Sequence, residues 1–182
     1  MIRIRTFRFM LAMIVLSAVP LVAQNIPRID VFGGYSYLRF DSAPLGFNGR
    51  SNLNGWNASV SVPNIYRHLG ITADASGNSG SELTVYNFLV GPQLSVNHGE
   101  NRLYGHVLFG KTRERFEPQG VSTPGFSTLV RAYALGGGYD WNLNRRFDIR
   151  LIQADYLHSS AFGSKQNNLR LSTGIVFKFG GK

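Results

Sequence analysis

Apolar and polar residues alternate strictly near the end of the chain, in the segment NLRLSTGIVFKF at residues 168–179. One parity is apolar and ends in Phe177 and Phe179, whereas the other carries Arg170 and Lys178 among small polar residues. Successive side chains of a β-strand point to opposite faces of the sheet. The segment therefore predicts a strand with one apolar face and one polar face.

Seven further runs have the length or the alternation of strands. They span residues 29–40, 55–62, 67–75, 83–96, 102–113, 129–141 and 147–158. Most have about the length that a tilted strand needs to cross a bilayer. Gly33 and Gly34 predict a bend or a close backbone approach in the first run. Pro63 predicts the end of the second, because proline cannot donate a hydrogen bond to a ladder.

The connections between these runs differ in length. Those at residues 63–66, 97–101 and 142–146 are tight, whereas those at 41–54 and 114–128 are long and polar. Alternation of short turns and longer loops is typical of outer-membrane barrels, and lipid tolerates no open sheet edge. We predict an all-β fold, an eight-stranded antiparallel up-and-down transmembrane β-barrel with both termini in the periplasm. Ten strands, or a soluble lipocalin-like barrel, are the alternatives.

The start of the chain favours the membrane barrel, because it has the pattern of a secretory signal peptide. Basic residues up to Arg8 precede an apolar run from Phe9 to Val19, and Ala23 is a small residue suited to cleavage. The apolar run is shorter than the roughly 20 residues of a spanning helix. We therefore predict a cleaved signal peptide at residues 1–23 and one barrel domain at residues 24–182.

Composition agrees with a barrel that crosses the membrane with strands. Hydrophobic residues make up 43% of the chain, yet the mean hydropathy is only −0.07, because apolar residues are dispersed among polar ones. The net charge of +9 is spread along the chain without a nucleic-acid recognition motif. We expect the cations at the barrel rims, facing the headgroups of outer-membrane lipids, and no nucleic-acid partner.

Two sets of residues are candidate functional positions. Polar side chains on the predicted inward face should form a hydrogen-bonded network in a narrow lumen, because an unpaired buried charge is costly. This network comprises Asp74, Asp140, Asp155 and Arg170, with Asp155 and Arg170 on neighbouring strands as the expected ion pair. Aromatic side chains near strand ends on the outward face should form a girdle at the headgroups. The girdle comprises Trp56, Tyr133, Tyr139, Trp141, Phe177 and Phe179.

Several segments together resemble the outer-membrane β-barrel family of OmpA-like and opacity-protein-like barrels. They are VFGGYSYLR, NGWNASVSV, LGITADASG, YNFLVGPQLS, ALGGGYD, IRLIQADYLHS and NNLRLSTGIVFKF, in the family's order. The resemblance implies an outer-membrane location and a structural, adhesive or weakly pore-forming role. It also implies that the barrel-assembly machinery recognises a terminal aromatic residue, here Phe177 or Phe179. Family members commonly finish on that residue, whereas Gly180, Gly181 and Lys182 follow here.

No residue pattern predicts a cofactor, a metal site or a catalytic centre. The chain has no cysteine, and its four histidines lack metal-ligand spacing. His158 and Ser160 resemble the His-x-Ser of barrel enzymes that deacylate lipid A, but no Asp or Glu follows Asp155 to orient such a base. We expect a non-catalytic structural or surface-interaction role, with an external partner at loops 41–54 and 114–128. The alternatives are a narrow porin-like channel and a lipid A-modifying enzyme.

Overall fold

The chain forms a closed antiparallel barrel of eight strands in which each strand pairs with its neighbours along the sequence. A computed structural model describes residues 27–41, 50–80, 83–116, 126–161 and 164–180. The strands are β1 (Ile29–Asp41), β2 (Arg50–Tyr66), β3 (Leu69–Ser79), β4 (Leu83–His98), β5 (Asn101–Phe116), β6 (Phe126–Asn142), β7 (Phe147–Ala161) and β8 (Ser164–Phe179). The barrel closes by pairing β1 with β8, from Ile29 opposite Phe179 to Arg39 opposite Leu169. The predicted eight-stranded antiparallel barrel is confirmed.

The two ends of the barrel are distinguished by their connections. One end, here called the turn end, holds the start of β1 and the turns at residues 67–68, 99–100 and 143–146. The opposite end, here called the loop end, is where β1 leads into β2 and β5 leads into β6. The predicted signal peptide, residues 1–23, lies outside the described residues and stays a prediction.

Alternation along each strand divides the side chains between lumen and outer wall. In β4 every second residue from Leu83 to Ser95 is buried, and the residues between them are mostly exposed. In β1 Phe32 and Leu38 face the lumen, whereas Tyr35 is exposed on the outer wall. Apolar residues occur on both faces of this first strand, so its alternation alone does not assign the inward face.

The strands run further than their alternation indicated. Pro63 does not end the second strand: β2 continues to Tyr66, and only its pairing with β3 is interrupted, by a register shift between Val62 and Tyr66. The long connections are shorter than predicted, because residues 50–54 belong to β2 and residues 114–116 and 126–128 belong to the β5–β6 hairpin. Each of these strands is longer than its alternating segment, because the hydrogen bonding between strands continues past the residues that alternate in the sequence.

Gly34 lies where two strands approach closely. A Cβ atom at Gly34 would overlap the carbonyl oxygen of Thr173 on β8, whereas a Cβ at Gly33 would meet nothing within 4 Å. The pairing of β1 with both neighbours continues through this dipeptide without a register shift. The dipeptide therefore marks a close approach at Gly34 and not a bend. No helix in the described part of the chain is long and apolar enough to cross a membrane.

Candidate functional site: the filled lumen and the apolar outer wall

An arginine on β8 lies at the centre of the barrel interior. Arg170 is fully buried and donates two hydrogen bonds to Oδ2 of Asp155, at 2.9 Å from Nε and 2.7 Å from Nη2. Its Nη1 bonds Oδ1 of Asp74 at 2.8 Å and the hydroxyl of Ser76 at 2.8 Å. The guanidinium thus joins β8 to β7 on one side and to β3 across the lumen, and both aspartates are buried with it.

Asp155 carries the network from Arg170 towards the turn end. Its Oδ1 lies 2.7 Å from Nε2 of His106, and its Oδ2 accepts a hydrogen bond of 2.8 Å from Gln153. The amide oxygen of Gln153 accepts hydrogen bonds from Tyr104 at 2.9 Å and from Arg150 at 2.6 Å. Every one of these side chains is buried, so the network fills the cross-section of the barrel at this level.

Arg150 and Asp140 extend the network by a second buried ion pair. Nε of Arg150 lies 2.8 Å from Oδ1 of Asp140, and the guanidinium carbon is 4.2 Å from the Phe32 ring centroid and 4.7 Å from that of Tyr104. An arginine between two aromatic rings gains cation–π attraction as well as its ion pair. Arg102 donates to the other oxygen of Asp140 at 2.6 Å.

The network reaches the turn end through ion pairs that become partly exposed. Arg102 also pairs with Asp30, and Nε of Arg28 lies 2.7 Å from the second oxygen of Asp30. Nη2 of Arg28 is 3.4 Å from Asp148, which pairs in turn with Lys178. The Arg28 side chain is 29% exposed, so it marks the mouth of the lumen.

Opposite charges balance along this chain of contacts. Five aspartates face five cations, Asp30, Asp74, Asp140, Asp148 and Asp155 against Arg28, Arg102, Arg150, Arg170 and Lys178. Pairing and additional hydrogen bonds are what makes buried charge tolerable in a medium of low dielectric constant. The lumen of the turn-end half is therefore filled by a neutralised polar network rather than by unpaired charge.

The loop-end half of the lumen combines an apolar cluster with buried polar side chains, among them Asn87, Glu114 and Gln166. Buried inward side chains form one hydrophobic cluster there, comprising Leu38, Phe40, Leu53, Leu83, Val85, Leu89, Leu108, Ala132, Ala134 and Leu157. Leu38, Leu108 and Ala134 have no exposed surface. The observed lumen therefore differs from the expected polar one towards the loop end, where apolar side chains share the inward parity with polar ones.

The outer wall carries the large apolar side chains that a soluble barrel would bury. Phe88 is 56% exposed, Leu94 60% and Leu135 59%, whereas their sequence neighbours on the inward parity are buried or packed against the lumen. The predicted girdle residues all face outwards. Trp56, Tyr133, Trp141 and Phe179 are exposed, and Tyr139 and Phe177 are half-buried. Trp141, Phe177 and Phe179 lie near the turn end, Trp56 lies in the loop-end half of β2, and Tyr133 lies near the middle of β6.

His158, one of the two positions on β7 that suggested lipid A chemistry, lies on the outer wall. His158 is stacked on Tyr133, with ring centroids 4.8 Å apart, and its Nδ1 lies 2.7 Å from Oδ1 of Asn167. An asparagine amide carries no charge to stabilise an imidazolium. The side chain of Ser160 lies outside what the structure describes.

Sequence reasoning found four members of the lumen network and missed others. All four predicted residues, Asp74, Asp140, Asp155 and Arg170, are buried in the lumen, and Arg170 contacts both Asp74 and Asp155. Asp140 is connected to Asp155 indirectly: it pairs with Arg150, Arg150 donates to Gln153, and Gln153 donates to Asp155. Among the missed residues, Asp30, Arg102 and Tyr104 sit on strands whose inward parity carries mixed apolar and polar residues.

Arg150 was missed for a different reason. A register shift in β7 between Arg150 and Gln153 places both side chains in the lumen although they are three residues apart. Leu151 and Ile152 between them are both exposed on the outer wall. Two adjacent outward apolar residues are the signal of such a bulge, which re-aims the side chains on either side of it.

The fold matches solved outer-membrane barrels at low sequence identity. Neisserial surface protein A aligns with a TM-score of 0.60 and 12% identity, over 83% of this chain and 97% of that one. The attachment invasion locus protein Ail of Yersinia pestis aligns with a TM-score of 0.56 and 19% identity, over 84% and 99%. The N-terminal barrel domain of Pseudomonas aeruginosa OprF aligns with a TM-score of 0.52 and 10% identity, over 86% and 100%.

These structural neighbours are eight-stranded outer-membrane barrels, so the resemblance predicted from the sequence is confirmed at the level of fold. No protein-family model matches the chain, and no curated protein is similar to it in sequence. The class of protein is therefore defined by architecture: a closed eight-stranded barrel with the fold of the outer-membrane barrels.

Proposed function

We propose that this chain is an integral outer-membrane protein with a structural or surface-interaction role and a lumen that does not conduct. Residues 1–23 are removed as a signal peptide, the turn end with both termini faces the periplasm, and the loop end faces outwards. The single observation that carries the proposal is the combination of an apolar outer wall with a filled lumen. An apolar wall requires lipid around the barrel, and a filled lumen leaves the surface as the part that can act.

The outer wall supports a position in a bilayer. Burying apolar surface stabilises by about 25 cal/mol per Å², and the large outward side chains gain this stabilisation only if lipid covers them. Aromatic rings near the turn end and in the loop-end half of the wall suit the headgroup region, where an amphipathic ring has an apolar and a hydrated side. These rings and the apolar residues between them form the band that outer-membrane barrels present to lipid.

The filled lumen argues against the narrow channel. A conducting pore needs a continuous path of water, and here Arg170 with its partners and the apolar cluster beyond it both obstruct that path. Opening a path would require breaking ion pairs between fully buried charges, which is expensive because each partner would be left unpaired.

The lipid A-modifying enzyme is also less well supported. A serine hydrolase needs a base oriented by a charged acid. The described contacts of His158 are a neutral asparagine and a tyrosine ring. A surface role needs no such triad, and the connections at the loop end offer contact sites for an external partner. Those connections are centred on the predicted loops 41–54 and 114–128.

A solved complex of a similarly folded barrel gives this surface role a precedent. Ail has been crystallised with the heparin analogue sucrose octasulfate, and that structure aligns with this chain at a TM-score of 0.57 and 20% identity. For this chain we propose an external partner at the loop end. We also propose assembly by the barrel-assembly machinery through Phe177 or Phe179.

Cell fractionation tests the location, and surface labelling tests the orientation. Expressed in a Gram-negative host, the protein should fractionate with the outer membrane, and its unheated and boiled forms should migrate differently on gels. An epitope inserted between residues 42 and 49 should be accessible on intact cells, whereas one in the turn at residues 143–146 should not. Intact mass should show loss of about the first 23 residues. Recovery in the soluble periplasm would contradict the proposal.

A further inference from the structure

Charge is segregated between the two faces of the barrel wall. Among the strand residues whose side chains the structure describes, every carboxylate faces the lumen. The outward-facing charged side chains of the same strands are all cationic, and they are Arg39, Lys111, Arg113, Arg115 and Arg131. Four of these five lie on β5 and β6, in the half of those strands nearer the loop end. Among the described residues, the outer wall thus carries a localised positive surface on β5 and β6.

Two of these cations lie side by side. Lys111 of β5 is directly opposite Arg131 of β6 in the strand register, and both side chains are exposed. Like charges in directly opposed positions destabilise a sheet, since their Cβ atoms are only about 4.5–5.5 Å apart. Within the described residues, neither Lys111, Arg113 nor Arg131 has an ion-pair or hydrogen-bond partner. Such a pair is expected where an anion from outside the chain bridges the two cations.

The position of Arg131 on its strand also favours binding of an external anion. It lies on the outward parity of β6 between Leu129, which is 59% exposed, and Tyr133, which is 43% exposed. A cation among lipid-facing apolar side chains is costly unless its charge is neutralised in place. Arginine is also the side chain best suited to bind a phosphate through two parallel hydrogen bonds.

Apolar grooves adjoin the cations on the outer wall. One groove of about 490 Å³ extends from Phe88 and Phe109 across the small side chains Ala58, Ala73 and Ala75. A second groove of about 360 Å³ lies on the other side of Phe109 and includes Arg131, Tyr133 and His158 in its lining. Lys111 is paired with Phe88 in register, so it stands at the loop-end edge of the first groove. Charge and groove together match one molecule with an anionic head and apolar chains.

We propose that Lys111, Arg113 and Arg131, with the grooves beside Phe109, bind a phosphorylated glycolipid of the outer leaflet, the lipid A portion of lipopolysaccharide. A phosphate lies between Lys111 and Arg131, and acyl chains occupy the grooves towards the turn end. The inference rests on the proposed function, since it requires the loop end to face the outer leaflet. Its chemistry is complementary, because lipid A combines phosphate groups with several acyl chains.

The test compares a double variant that lacks the two paired cations with a control variant that lacks two cations elsewhere. The barrel is refolded in detergent micelles, and its complexes with bisphosphorylated lipid A are titrated by native mass spectrometry. The double variant Lys111→Ala/Arg131→Ala should bind at least about tenfold more weakly, because two charge-assisted contacts are lost. The control Arg39→Ala/Arg67→Ala removes the same net charge from exposed cations elsewhere on the barrel. It should bind as the wild type does, and equal weakening of the two double variants would overturn the site.

Two further arms separate head recognition from chain recognition. Lipid A stripped of both phosphates should bind the wild type about as weakly as bisphosphorylated lipid A binds the double variant, and equal binding of both lipids would overturn phosphate recognition. Ala73→Phe fills the larger groove and should weaken lipid A binding without altering the heat-modifiable migration of the barrel. Displacement of lipid A by millimolar inorganic phosphate alone would show that the acyl chains do not contribute to binding, and it would overturn the role of the grooves. A barrel that folds, inserts in bilayers and fails these titrations refutes this inference and leaves the proposed function intact.

Discussion

Loss of the Arg170 guanidinium should destabilise the barrel more than any other single change in the lumen network. Arg170→Met keeps most of the side-chain volume but leaves Asp74 and Asp155 without their shared cation. Both carboxylates are buried, with the Asp155 side chain fully enclosed. Breaking a buried ion pair by removing one partner costs about 3–5 kcal/mol. Since Arg170 serves two carboxylates, we expect a loss near the upper end of that range.

A matched arginine at the mouth of the lumen supplies the control. Arg28 also lies between two aspartates, Asp30 and Asp148, but its side chain is 29% exposed and both carboxylates keep other cationic partners. Partly hydrated ion pairs contribute only about 0–1 kcal/mol. Arg28→Met should therefore cost less than about 1 kcal/mol, because the pair is partly hydrated and neither carboxylate is left without a cation.

Urea unfolding of the barrel in phospholipid vesicles measures both losses, with Trp56 and Trp141 as fluorescent reporters. The triple variant Asp74→Asn/Asp155→Asn/Arg170→Met removes the stranded charges and should recover part of the loss, by a coupling of about 1–3 kcal/mol. Equal costs for Arg170→Met and Arg28→Met would refute the buried network. A triple variant less stable than Arg170→Met would do so as well.

Two further predictions concern the wall of the barrel. Gly34→Ala should cost about 1–3 kcal/mol by overpacking against the Thr173 carbonyl, whereas Gly33→Ala should be nearly neutral; equal unfolding midpoints would contradict the close approach of β1 and β8. Val90→Arg, on the lipid-facing side near the middle of β4, should cost about 2–4 kcal/mol, and Val96→Arg near the turn end about 0–1 kcal/mol. Vesicle unfolding curves measure this difference too, and a penalty independent of depth would mean that lipid does not surround this wall.

The fold was predictable because the physics of a membrane barrel leaves a periodic trace in the sequence. Each strand alternates between lipid and lumen, and the alternation in β8 identified both faces from residues 168–179 alone. Strand ends were less predictable, since hydrogen bonding continues beyond the alternating segment. Pro63 shows why: it interrupts the pairing of β2 with β3, but the strand conformation continues to Tyr66.

The residues that line the lumen were predictable only in part, because an irregularity in a strand reverses which alternate residues face inwards. Counting by twos from Asp155 places Arg150 on the outer wall, and the bulge at Leu151 and Ile152 brings it inside. The apolar cluster at the loop end was missed for another reason. Leu38 and Leu108 are apolar on a face that was expected to be polar, and alternation distinguishes the two faces only when they differ in polarity.

The contacts across the lumen lay beyond sequence reasoning. Asp155 and Arg170 are directly opposite in the β7–β8 register, so their pairing follows from adjacent strands. Asp74 reaches the same guanidinium from β3 across the interior, and Asp30 of β1 reaches Arg102 of β5 in the same way. Such contacts depend on the diameter of the closed barrel and on side-chain length, and neither leaves a local pattern.

Single-channel recording in planar bilayers tests whether the barrel inserts in lipid with a lumen that does not conduct ions. Heat-modifiable migration of the same preparation establishes that the protein is folded. We expect no steady conductance from bilayers that contain the folded protein, because the Arg170 network and the apolar cluster both block the lumen. A stable ohmic conductance of the folded wild type would contradict this expectation and would support a narrow channel instead.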